Sequence, residues 1–149
     1  MPKPFSLQTV LDLMQNRSDE ATQRLARLMA TERDAQSKLR MLEEYRDDYS
    51  ERFRKAMQGG LRQPEWRNYQ EFLQRLDEAI NQQLQAVRQQ QSQTASGQAE
   101  WRQQRKRLQA FDALFERHRS SEAKLEGRQE QKAQDELAAR RKHDKDDDE

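Results

Sequence analysis

The chain has 149 residues, of which 32% are hydrophobic and 37% are charged. That apolar fraction is too small to fill a globular core of this length, but it suffices for a narrow contact line between two helices. The 28 basic residues nearly balance the 27 acidic ones, so bulk charge gives no reason to expect nucleic-acid binding. Without cysteine there are no disulfides or zinc–thiolate sites, and no apolar run reaches membrane-spanning length. We therefore expect a soluble intracellular protein with no direct membrane insertion.

The first predicted helix covers about residues 5–57 and follows a short lead-in. Pro4 suits a helix start, and neither glycine nor proline occurs between Phe5 and Gln58. Residues spaced alternately by three and four form a seam, meaning the a and d positions of a heptad repeat that face a partner helix. The seam of this helix consists of Leu11, Met14, Ser18, Ala21, Leu25, Leu28, Glu32, Ala35, Leu39, Leu42, Arg46, Tyr49, Phe53 and Ala56.

A turn is predicted at residues 58–65, where Gly59, Gly60 and Pro64 interrupt the pattern. A second helix is predicted from about residue 65 to about 125 or longer. Its seam consists of Trp66, Tyr69, Leu73, Leu76, Ile80, Gln83, Val87, Gln90, Thr94, Gly97, Trp101, Gln104, Leu108, Phe111, Phe115 and His118.

The two seams interlock when the chain folds back on itself. Opposing residue numbers then sum to 122, as in Phe53 with Tyr69 and Ala21 with Trp101. Every pair sets an a position against a d position, as antiparallel coiled coils require. Shifting the pairing by one heptad in either direction would also match a with d positions, but the length of the turn disfavours both shifts. We therefore predict an all-α fold, a long two-helix antiparallel coiled-coil hairpin over residues 1–139, while a domain-swapped dimer stays open.

Two segments of the chain are predicted to be less well packed than the rest. Residues 81–104 are rich in glutamine and place Thr94 and Gly97 on the seam, so we expect the weakest packing there. Charged residues dominate from Glu126 onward, and residues 140–149 are expected to form a disordered charged tail.

Catalytic and cofactor chemistry has little support in this sequence. Four glycines leave no room for a phosphate-binding glycine loop. His118 falls on the seam, where we interpret it as a partly buried polar residue. His143 and the aspartates after it could hold a cation loosely, but nothing fixes such ligands, so a solvated tail is favoured. We predict no enzyme activity, no cofactor and no metal site.

An apolar strip is predicted beside the seam near the turn. Tyr45, Phe72 and Ala79 occupy g positions, which lie on the same side in an antiparallel pair. They adjoin three seam residues, namely Leu42, Tyr49 and Leu76. The strip is either a contact surface or a widened core.

The end of the hairpin far from the turn is predicted to be apolar on more than one side. The residues concerned are Leu7, Val10, Leu11, Leu13, Met14, Leu108, Phe111, Leu114 and Phe115. Such an end could enter a ring or pocket of a partner. The alternatives are extra packing between the two helices and homodimer formation.

Three segments resemble a known family. They are MLEEYRDDY at residues 41–49, WRNYQEFL at 66–73 and WRQQRKRLQA at 101–110. The spacing of tryptophan and tyrosine around the turn resembles FliJ, the small coiled-coil component of the flagellar type III export apparatus. The resemblance extends from Leu7 to about Leu137.

This resemblance implies a monomeric hairpin similar to the γ stalk of rotary ATPases. It implies binding to the hexameric export ATPase FliI through the paired terminal ends, promotion of ring assembly, contact with the export gate FlhA, and escort of export chaperones. It places the protein in the cytoplasm, peripherally at the inner membrane of the flagellar base. The gate-binding positions implied by the family are Lys38, Leu42, Tyr45, Tyr49, Phe72, Leu76, Ala79 and Gln83.

The sequence thus favours a non-enzymatic stalk of flagellar export. The alternative is a generic coiled-coil adaptor, or a stalk of a related virulence-type secretion system. The basic residues of segment 102–107 form only a short stripe diluted by glutamine, so we predict no nucleic-acid partner.

Overall fold

The computed structural model describes the backbone of residues 4–147 and the side chains of residues 7–147. In this part of the chain α1 runs Pro4–Gln58 and α2 runs Gln63–Asp147, with no strand. The two helices pack against each other, which confirms the predicted all-α helical hairpin.

The carboxyl end of α2 differs from the sequence-based expectation. Residues 140–147 continue the helix, whereas a disordered tail was predicted from residue 140, and residues 148–149 lie outside the described part. Ala138 to Lys142 are good helix formers, and no glycine or proline follows Gly127 to stop the helix. The predicted lead-in at residues 1–3 also lies outside the described part.

The connection between the helices is shorter than the predicted turn, since only residues 59–62 lie outside the helices. Gly60 adopts φ 84°, a left-handed conformation that favours glycine. Its N–H donates to the carbonyl of Met57 at 3.2 Å. Pro64 falls in the first turn of α2, where its missing N–H has no helical partner to lose.

The described residues form two compact units, and the larger comprises Ser18–Gln104. Its contacts confirm the predicted register. The rings of Phe53 and Tyr69 lie 5.3 Å apart, and the Thr94 hydroxyl donates to the Leu28 carbonyl at 3.4 Å. Both pairs sum to 122. The buried side chains of this unit all lie on the seam, and they are Ser18, Ala21, Leu76 and Val87.

The glutamine-rich stretch of this unit is held by more than apolar contacts. The Gln83 amide donates to the Ala35 carbonyl at 2.9 Å, and the Trp101 indole N–H donates to the Thr22 hydroxyl at 2.9 Å. Hydrogen bonds between α1 and α2 therefore supplement a seam that has few large apolar pairs.

The second unit comprises residues Met1–Arg17 and Arg105–Glu149. Its described seam residues are half-buried as far as His118. All side chains from 119 to 147 are exposed. The predicted register accounts for this change, since a sum of 122 sets residue 4, where α1 begins, at the level of residue 118.

Candidate functional site

Aromatic side chains meet on one side of the larger unit. Tyr49 and Phe72 have ring centroids 4.4 Å apart, and Tyr45 contacts Phe72 edge-on at 6.1 Å. Tyr45 also stacks on Tyr49 at 6.5 Å. The ring of Tyr69 lies 5.3 Å from that of Tyr49 and extends this group along the seam towards the turn. Offset and edge-on pairs of this kind stabilise a cluster beyond the burial of its area.

The eight sequence-predicted gate positions form two rows in matched register. We name them the aromatic flank: Lys38, Leu42, Tyr45, Tyr49, Phe72, Leu76, Ala79 and Gln83. Each α1 member has an α2 counterpart whose number brings the sum to 121, for example Tyr49 with Phe72. Both rows use the spacing four, three, four, so each follows one face of its helix.

Exposure across the aromatic flank is graded from core to solvent. Leu76 is buried, whereas Tyr45 is 49% exposed and Lys38 is exposed. The other five members are half-buried. The inner members thus widen the core, while the ring of Tyr45 is held by neighbours yet still accessible. Gln83 already uses its amide N–H on α1.

The tyrosine cluster alters one ionisation equilibrium. Burial, followed by the neighbouring Tyr69 and Tyr45, raises the pKa of Tyr49 above its usual value, while Arg52 opposes this. A tyrosine with its usual pKa of about 10 is already neutral at physiological pH, so this shift matters only in alkaline solution.

The nine predicted ring-binding residues all belong to the second unit, and we name them the terminal patch: Leu7, Val10, Leu11, Leu13, Met14, Leu108, Phe111, Leu114 and Phe115. Seven of them are half-buried. Leu13 is 45% exposed and Leu114 is 50% exposed, so both project beyond the seam. The patch therefore leaves apolar surface open to a partner.

Neither a candidate metal site nor a candidate membrane-spanning segment is found among the described residues. No group of three or more histidine and carboxylate side chains among them is placed to hold a metal ion. His118 lies 3.6 Å from Glu122, and His143 lies 3.7 Å from Asp147, each one helical turn away. Within residues 4–147, neither helix contains a stretch with the length and hydropathy needed to cross a bilayer.

Sequence reasoning missed the polar contacts on the side of the seam opposite the aromatic flank. Arg46 occupies a seam position, yet its guanidinium donates to the carboxylate of Asp77 at an e position. Hydrogen bonding to Asp77 and its charge raise the pKa of Arg46. The sequence signal for this pair is a basic residue at a seam position and an acidic residue at a nearby e position of the facing helix.

Comparisons with known proteins give the family. The family described as "Flagellar FliJ protein" matches residues 2–146. The chain belongs to the FliJ family. It is similar to the flagellar FliJ protein of Escherichia coli (strain K12), at 32% identity over 140 residues, 94% of this chain and 95% of that protein. It is also similar to that of Salmonella typhi, at 31% identity over 140 residues with the same shares covered.

Membership in the FliJ family confirms the resemblance read from the three segments around residues 41–49, 66–73 and 101–110. The family match spans both the aromatic flank and the terminal patch. Neither surface is assigned a partner by the match itself.

Proposed function

We propose that this flagellar export component is a non-enzymatic coiled-coil stalk that binds the export ATPase FliI and promotes assembly of its hexameric ring. The observation that supports the proposal is a pair of packed helices whose apolar side chains stay partly exposed at the terminal patch and at the aromatic flank. A seam between two helices encloses no dry cavity for catalysis. The protein therefore acts on export by contact, and FliI hydrolyses the ATP.

The terminal patch is the proposed ring-binding surface. Leu13 and Leu114 are about half exposed beside half-buried seam residues such as Leu11 and Phe111. Exposed leucines anchored on a packed pair of helices can enter an apolar ring without ordering a flexible segment, which lowers the entropic cost of binding. The patch would therefore enter the ring as a rigid unit.

The aromatic flank is the proposed contact for the export gate FlhA. Tyr45 is the outermost aromatic residue, and its contacts with Tyr49 and Phe72 restrict its orientation before binding. Preorganised tyrosine is favoured at binding hot spots because it buries much area at low entropic cost. Lys38 and Gln83 mark the polar rim of this surface.

Escort of export chaperones and residence at the flagellar base complete the proposed function. The protein would work in the cytoplasm, peripherally at the inner membrane, with the membrane contact supplied through the export gate. The two surfaces use different residues, so the chain can engage more than one partner.

The ring-binding role is tested by measuring ATP turnover and ring formation of purified FliI with and without this protein. We expect stimulation by the wild-type chain and its loss with Leu13→Asp combined with Leu114→Asp. Met41→Asp is the matched control, because Met41 is 63% exposed but lies outside both surfaces. Failure of the wild-type chain to stimulate turnover or to co-assemble would contradict the proposal.

A further inference from the structure

A shallow groove of about 390 Å³ lies beside the seam in the larger unit. Leu39, Leu84 and Val87 line it together with Gln36 and Gln91, and Arg40 and Arg88 border it. Val87 is buried, while the two leucines are half-buried and reachable from outside. The groove therefore has an apolar floor with cationic edges.

The groove lies on the flank opposite the aromatic flank. Gln36 and Leu84 occupy e positions, whereas Tyr45 and Phe72 occupy g positions, and e and g residues border opposite sides of a heptad seam. Met29 occupies the preceding e position of α1 and is 44% exposed. The apolar surface therefore continues along this flank, away from the turn.

The two charged side chains that line the groove, Arg40 and Arg88, are both basic. Arg33 and Arg40 are consecutive b positions of α1, and Arg88 is a b position of α2. All three are exposed, and no ion pair engages them among side chains 7–147. The neighbouring b positions of α2, Asn81 and Ala95, carry no acid, whereas on α1 Glu43 and Asp47 follow at the next e and b positions towards the turn. This concentration of positive charge contrasts with a net charge of only +1 for the whole chain.

We propose that this groove binds an acidic amphipathic helix of a partner protein. Apolar side chains of that helix cover Leu39 and Leu84, and its carboxylates face Arg40 and Arg88. A groove between two helices accommodates a third helix by the same ridge packing that joins the first two. The arginine edges select an acidic sequence and speed its association.

A second copy of this chain fits the groove poorly. A symmetric contact through this flank would bring Arg33, Arg40 and Arg88 of one copy towards the same arginines of the other. Like charges at close range oppose such a contact. The proposal goes beyond the proposed function, because neither the ring contact nor the gate contact uses this flank.

The test uses two fluorescein-labelled helical peptides as probes with the full-length chain. The first carries leucine along one face and glutamate along both edges of that face, and the second carries lysine in place of glutamate. Fluorescence anisotropy should show the acidic peptide binding at least tenfold more tightly. Arg40→Glu combined with Arg88→Glu should reverse that preference, and Leu84→Gln should weaken acidic-peptide binding at least fivefold.

Arg62→Glu combined with Arg75→Glu is the matched control. It makes the same change in charge at two exposed positions outside the groove, so the preference for the acidic peptide should persist. Circular dichroism shows whether each variant keeps its helicity. Equal loss in the control, unchanged binding after Leu84→Gln, or equal weakening by Tyr45→Ala would overturn the proposal. The last result would place the peptide on the aromatic flank instead.

Discussion

Gly97 and Leu28 approach so closely that a Cβ added to Gly97 would lie 2.5 Å from Cδ1 of Leu28. The glycine thus lets the leucine side chain fill the seam at this level. A helix-interior glycine normally costs about 1 kcal/mol relative to alanine, so the contact offsets an intrinsic penalty.

Substitution of Gly97 should depend on Leu28. In the wild-type chain Gly97→Ala should change the free energy of unfolding little, because the gain in helix propensity is cancelled by rotation of Leu28 away from its rotamer, at about 0.5–1.5 kcal/mol. In a Leu28→Ala background the same change should stabilise by about 1 kcal/mol. Denaturant unfolding of the four variants measures this coupling. Equal effects in both backgrounds would show that the close approach has no energetic consequence.

Gln104 should be replaceable by leucine with a gain in stability. Its Oε1 is buried without a hydrogen-bond partner among the described residues, at the seam position opposite buried Ser18. Removing an unpaired buried acceptor should stabilise the chain by about 1–3 kcal/mol. Denaturant unfolding of Gln104→Leu measures the change.

The neighbouring Gln103 provides the control for that experiment. It is exposed, so Gln103→Leu should leave the unfolding free energy within about 0.5 kcal/mol of the wild type. Destabilisation by Gln104→Leu would mean that the amide makes a favourable contact, such as one through water.

Alkaline pH should weaken the fold partly through Tyr49. Because its folded-state pKa is raised above 10.0, mainly by burial, the folded chain holds the phenolic proton more tightly than the unfolded chain. That contribution is fully present below the unfolded pKa and is lost as pH rises through the folded pKa. Between pH 8 and pH 11 the thermal unfolding temperature should therefore fall less steeply with pH for Tyr49→Phe than for the wild type. An identical pH dependence of the unfolding temperature in both proteins would contradict the raised pKa of Tyr49.

Tyr45 should matter for gate binding and little for folding. With 49% of its surface exposed, Tyr45→Ala should leave helicity nearly unchanged, while affinity for the purified cytoplasmic part of FlhA should fall at least tenfold. Tyr45→Phe should retain most of the affinity because the ring contacts persist, and Met41→Ala serves as the exposed control. If Tyr45→Ala binds like the wild type, the aromatic flank is only a widened core.

Much of the fold could be predicted from the sequence. The three–four spacing of apolar residues requires two helices, and the short glycine-containing turn selects one register, seen in the contact of Phe53 with Tyr69. The g positions of Tyr45 and Phe72 predicted the apolar strip within the aromatic flank, and the structure brings their rings together. The helical continuation to Asp147 was not predicted, because charge alone does not distinguish an exposed helix from a disordered tail.

The sequence by itself determined the helical hairpin, its register and its family, because these follow from residue spacing along one chain and from motifs within it. Only the tertiary structure decided which side chains remain open. The exposure of Tyr45, the unpaired oxygen of Gln104 and the groove beside Leu84 depend on atoms contributed by the facing helix, tens of residues away in sequence. Periodicity assigns a residue to one side of a helix, whereas burial and hydrogen bonding are set by the neighbours it meets there.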